Sequence, residues 1–163
     1  SERMVLAGDS AGGALCLALM LRFKQQGQPL PRAAMLLSPW TDLAATGASV
    51  VDNESSCAMF YAESIPAGAN IYTDGGDCKD PLVSPLYGDL SGLPPVWICV
   101  SDNEVLRDDS IRLAEKIKSN KGSVELLQWV AQPHVWPTFY PLLPEAKVSV
   151  KQMAAFTQRQ LSC

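Results

Sequence analysis

Four brief apolar runs punctuate the chain: Arg3–Ala7, Arg32–Ser38, Val96–Val100 and Ser123–Val130. Each has the length of a strand, and the first two read as strands of the buried kind. Between them the pattern changes period. Ala11–Gly27 carries helix formers throughout and closes on basic and polar residues and a glycine, which predicts a helix. After the third run, Ile111, Leu113, Ala114 and Ile117 recur at helical spacing up to Gly122. Asp108 and Asp109 read as charges at the start of that helix, where carboxylates favour the dipole and cap free N–H groups. A closing helix is expected within Tyr140–Leu161. Strands alternating with helices predict a parallel α/β sheet, with any site at the C-terminal ends of its strands.

Residues Thr46–Asp77 break this rhythm. Their composition shifts towards Ser, Ala, Gly, Asn and Asp, with helices expected at Ser56–Ser64 and near Pro66–Thr73. Met59, Phe60 and Tyr61 are apolar enough to pack or to line a pocket, so the segment reads as an insertion over the sheet. Asp80–Pro95 is proline-rich and irregular, and it delivers the chain into the third strand.

Composition narrows the function. With 13 basic and 17 acidic residues the formal charge is −4, and the basic residues are scattered, so neither nucleic acid nor an anionic membrane surface is an expected partner. An uncharged small molecule fits better. The five cysteines, Cys16, Cys57, Cys78, Cys99 and Cys163, are odd in number and widely spaced without a CxxC pair, so free thiols are expected and no metal or other cofactor. The longest apolar run, Ala11–Leu21, is too short to span a bilayer. No signal peptide is visible, and a cytoplasmic location is the expectation, with oligomeric state left open.

Candidate chemistry starts at Gly8-Asp9-Ser10-Ala11-Gly12, between the first strand and the first helix. Flanking glycines suit a sharp strand-to-helix turn that holds the Ser10 hydroxyl in the open. GDSAGG is one residue from the GDSGG of chymotrypsin-like proteases, but there His and Asp precede the Ser. Here the one histidine, His134, follows it. Ser10, the acidic loop after Val100 and His134 each fall directly after a predicted strand, in the order Ser, acid, His of α/β-hydrolases.

Taken together, GDSAGG, LLSPWTDL, DPLVSPLYGDLSGLPPVWICV, EVLRDDS and PHVWPTF, ordered over residues 3–139, resemble the C-terminal part of a hormone-sensitive-lipase-like carboxylesterase. The resemblance implies an α/β-hydrolase fold: the C-terminal half of a mostly parallel sheet flanked by helices, with part of a cap. It implies Ser10 as nucleophile, His134 as general base and the Ala11 N–H as an oxyanion donor. The family loop commonly reads Asp-Pro-Leu-x-Asp with the first acid catalytic, which aligns Glu104 there with Val105 in place of Pro; Asp102, nearer the strand, is the alternative. Asp9, Trp40, Phe60, Tyr61, Leu106, Val135 and Trp136 are the expected substrate contacts, although for all but Asp9 packing in the core is at least an equal reading. The implied activity is hydrolysis of short- to medium-chain acyl esters through an acyl-enzyme. A non-catalytic ligand-binding relative, or a lactonase or peptidase on the same fold, are the alternatives. In the family further oxyanion donors come from a Gly-rich loop upstream of the nucleophile. The chain is therefore expected to be a fragment that needs an N-terminal portion, with its first strand central in the complete sheet.

Overall fold

The computed structural model describes residues 3–162, so Cys163 lies outside the described residues. Four strands, β1 (Val5–Asp9), β2 (Ala33–Leu37), β3 (Val96–Ser101) and β4 (Val124–Trp129), form one parallel sheet in the order β1-β2-β3-β4. The helices are α1 (Ala11–Gln25), α2 (Ser49–Asp52), α3 (Ser64–Thr73), α4 (Arg107–Ser119) and α5 (Pro144–Leu161).

Side chains of a strand alternate between its two faces, and the sheet sorts its residues accordingly. Ala34, Leu36, Val96 and Ile98 pack against Leu17, Met20 and Leu21 of α1 and Leu113, Ala114 and Ile117 of α4. Their neighbours Ala33, Leu37, Trp97 and Cys99 face the other way, onto Ala146 and Phe156 of α5 and onto Trp136. Both faces are thus covered, which explains why β2 and β3 read as continuous apolar runs. β1 pairs with β2 alone and forms one edge among the described residues.

A third apolar cluster sits apart from the sheet. Val50 of α2, Ile65 of α3, Val105 and Leu106 are buried together, with Trp40, Cys57 and Phe60 against them. The insertion is therefore folded onto the loop that follows β3. The helix expected near Pro66–Thr73 is present as α3, but the one expected at Ser56–Ser64 is not. Residues 57–62 are irregular, and the extra helical turn is Ser49–Asp52. Local polar side chains decide this: the Ser56 hydroxyl donates to the Asn53 carbonyl, and Glu54 Oε1 accepts the Ala62 N–H at 3.1 Å. Such bonds offer the backbone an alternative to a helix.

Asp108 and Asp109 are also used differently from the reading as helix-start charges. Both lie in the first turn of α4, but they bond to other segments. Asp108 Oδ2 accepts the Ser49 N–H at 2.9 Å. Asp109 Oδ2 accepts the N–H groups of Thr41 and Asp42 at 2.7 and 2.8 Å, anchoring the loop that carries Trp40. Asp42, 2.8 Å from Arg112, approaches from the same loop. Burial is the main cause that pushes the Asp109 carboxyl up to about 7, with the Asp42 charge adding to it and the two N–H donors and Arg112 opposing.

A pH dependence follows. Folding raises the Asp109 pKa above its unfolded value, so the native state binds the proton more tightly. The contribution of Asp109 to stability is then largest below about pH 4 and declines as the pH rises to about 7. Asp109→Asn keeps an oxygen to accept both N–H groups and removes the titration. We expect the wild-type Tm to fall from pH 5 to pH 8 more steeply than that of Asp109→Asn; parallel curves would contradict this. Asp109→Ala leaves two buried donors without an acceptor and is expected to cost about 2–3 kcal/mol.

Among the described residues Cys16, Cys57, Cys78 and Cys99 are free. No helix of the described residues is long and apolar enough to cross a membrane.

Candidate active site

Ser10 stands between the last residue of β1 and the first of α1, with φ 52° and ψ −122°. A positive φ is unfavourable for a residue with a Cβ, typically by about 1–3 kcal/mol, and persists only where the surroundings impose it. Here its N–H donates to the Leu37 carbonyl at 2.8 Å, and its own carbonyl accepts from Gly13 and Trp40, each at 3.0 Å. The turn closes because two glycines allow it. A Cβ on Gly8 would lie 2.2 Å from the Gly12 oxygen, and one on Gly13 would lie 2.6 Å from Pro39 Cβ. Gly12, one of the two glycines expected to matter, has no such crowding; the sterically required pair is Gly8 and Gly13. Ala11 opens α1, so its N–H is one of the donors a helix leaves unused.

The loops after β3 and β4 bring an acid and a base together. Glu104 and His134 are 1% and 3% exposed, and Glu104 Oε2 lies 2.5 Å from His134 Nδ1. An ionised carboxylate is costly to bury without partners. Glu104 has them: Oε1 also accepts from the Ser101 N–H at 2.7 Å and from the Ser38 hydroxyl at 2.8 Å. The Asn53 amide donates to the carbonyls of Asp102 and Glu104, both at 2.8 Å, fixing the backbone that carries the acid. The opposite nitrogen of the imidazole, His134 Nε2, is buried with no hydrogen-bond partner among the described residues. The Phe60 ring meets the imidazole edge-on, centroids 5.0 Å apart. Burial, with the Glu104 charge adding to it, pushes the neighbouring Cys99 thiol well up, so it stays protonated.

Asp102, the alternative acid, is exposed and turned elsewhere: its Oδ1 accepts the Ala131 N–H at 2.9 Å. A cavity of about 220 Å³ is lined by Ser10, Ala11, Trp40, Phe60, Ile65 and Leu106. Trp40 and Ala11 also border a smaller apolar cavity of about 80 Å³, which Leu15, Leu43 and Tyr72 help to line. Of the expected substrate contacts, Trp40, Phe60 and Leu106 are thus brought to the Ser10 cavity. Asp9 and Tyr61 are exposed and border neither space. Val135 is partly buried against the cluster beneath the sheet. Trp136 belongs to that core: it is fully buried beside Trp97 and Phe156, and its Nε1 donates to Ser149 Oγ at 3.0 Å. The short 3-10 turn Trp136–Phe139 directly after His134 carries this side chain towards α5. No cluster of three or more His, Cys, Asp or Glu among the described residues could hold a metal ion.

Residues 1–138 match the family described as alpha/beta hydrolase fold. The chain belongs to that family. Its similarity to individual members runs over almost its whole length. It is 38% identical over 154 residues to an acetyl-hydrolase of Streptomyces hygroscopicus, covering 94% of this chain and 52% of that protein. The same identity relates it to an esterase of Acinetobacter venetianus, covering 94% and 51%. The crystal structure of an esterase from the bacterial hormone-sensitive lipase family superimposes with a TM-score of 0.96 at 39% identity, covering 98% of this chain and 54% of that one. The chain spans about half the length of these relatives. In this hydrolase-fold chain the residues that sequence reading missed are Ser38, Asn53 and the loop-anchoring role of Asp109. Each acts through a bond to a residue 49 to 68 positions away, which no local pattern announces.

Proposed function

We propose that this chain carries the catalytic residues of a serine carboxylesterase acting on short- to medium-chain acyl esters. The observation that carries the reading is the buried Glu104–His134 pair, whose outer nitrogen has no hydrogen-bond partner among the described residues, in a chain that also holds Ser10 in a strained strand-to-helix turn. Ser10 Oγ attacks the ester carbonyl while His134 Nε2 takes its proton. Glu104 holds the Nδ1–H tautomer and stabilises the imidazolium that forms. The Ala11 N–H donates to the oxyanion; each such donor is typically worth about 10²–10³ in turnover. His134 then returns its proton to the leaving alcohol, and water hydrolyses the acyl-enzyme by the same steps in reverse order.

Trp40, Phe60, Ile65 and Leu106 give the Ser10 cavity an apolar wall, which suits an uncharged acyl or alkyl group. The test is a series of p-nitrophenyl esters assayed with the protein at its full natural length. We expect kcat/KM to rise with chain length by up to about 0.8 kcal/mol for each methylene the apolar wall covers, to level off by about hexanoate, and to gain nothing further up to palmitate. A rate that rises steadily to palmitate would contradict the chain-length reading.

A further inference from the structure

Ser38 follows β2 and takes no part in the proton transfers above. Its position is nonetheless unusual. It is fully buried, its φ of 45° is in the left-handed region, and its N–H donates to the Cys99 carbonyl at 2.7 Å. A non-glycine residue in that conformation costs free energy, and such residues cluster where function requires a side chain to be aimed. The hydroxyl is aimed at two loops at once. It donates its single proton to Glu104 Oε1 at 2.8 Å and accepts the N–H of Val135, the residue after His134, at 3.2 Å. Val135 is itself left-handed, with φ 53°.

We infer that Ser38 is a positioning residue that fixes the acid and the base relative to one another. The inference rests on the catalytic reading of Glu104 and His134 given above. One hydroxyl closes a bridge from the backbone beside His134 to the carboxylate oxygen that does not face the imidazole. Without it, Glu104 Oε1 keeps only the Ser101 N–H, and the carboxylate has one restraint fewer against rotation about its last bond. The Val135 N–H loses its acceptor, and the backbone that carries the imidazole loses an anchor. Both changes loosen the base against Ser10 while leaving the walls of the substrate cavity in place, because Ser38 does not line it. The expected signature is therefore in turnover and not in substrate binding.

The experiment compares Ser38→Ala and Ser38→Gly with wild type, each at full natural length, on p-nitrophenyl butyrate. Rates are normalised to sites titrated to completion with an organophosphate, so that unfolded protein is not counted. Loss of a hydrogen bond to a buried carboxylate is expected to lower kcat about 10- to 100-fold in both variants, with KM changed less than about twofold. Alanine keeps the strained Cβ and glycine removes it, so equal losses identify the missing hydroxyl as the cause. A Ser38→Gly protein at wild-type turnover, a change confined to KM, or two variants indistinguishable from wild type would each overturn the inference. An active wild type with unaffected variants overturns this inference alone. A wild type that hydrolyses no ester overturns the reading of the site beneath it, and this inference with it.

Discussion

Replacing Ser10 with alanine is expected to lower kcat for ester hydrolysis by about 10⁴- to 10⁶-fold, the range found when a serine nucleophile is removed from such a triad. The fold should scarcely notice. The Ser10 hydroxyl makes no hydrogen bond to other described residues, and the bonds that hold the turn are made by its backbone N–H and carbonyl, which alanine retains. Alanine is no less compatible with φ 52° than serine. We therefore expect stability within about 0.5 kcal/mol of wild type. Large loss of rate with unchanged Tm separates a chemical role from a structural one. A Ser10→Ala protein that keeps substantial turnover would move the nucleophile elsewhere.

Glu104→Gln is expected to lower kcat by about 10³- to 10⁴-fold, as neutralising the acid of a triad does when the geometry survives. The surroundings of Glu104 make the amide harmful in either orientation. With its oxygen towards His134, the NH₂ group faces two donors, the Ser101 N–H and the Ser38 hydroxyl. With the NH₂ towards His134, Nδ1 becomes an acceptor and the proton moves to Nε2, which can then no longer receive one from Ser10. Asp102→Asn keeps the oxygen that accepts the Ala131 N–H and should leave kcat within about threefold, the behaviour of an ordinary surface substitution. Kinetics on both variants decide between the acids: the reverse ranking would make Asp102 the partner of His134.

Strands β2 and β3 were legible because they are buried on both faces and so declare themselves as short apolar runs; the expected boundaries of all four strands lie within two residues of the observed ones. Helices α1, α4 and α5 were legible for the complementary reason, being long enough to show helical spacing or helix-forming composition. The insertion was legible only in α3. Around Asn53 to Ser64 the choice between helix and irregular chain rests on side-chain bonds of Ser56 and Glu54, and composition alone weighs those poorly. The pairing of Glu104 with His134 could be anticipated because a parallel sheet collects the loops after its strands at one edge. The supports of the site could not. Asp109 looks like a helix-start charge and instead fastens the Trp40 loop, and Ser38 looks like an ordinary residue at a strand end. Trp136, which beside the histidine invites a pocket reading, is drawn into the core because a large apolar side chain gains more there and its indole finds Ser149.

The proposed chemistry requires Ser10 to be the group that forms the covalent intermediate. Reaction of the full-length protein with a fluorophosphonate, followed by proteolysis and mass mapping, tests this most directly. The account predicts one adduct per chain, located on Ser10 in the peptide containing GDSAGG, and none in Ser10→Ala. Stoichiometric labelling at another residue, or loss of esterase activity without any adduct on Ser10, would contradict it.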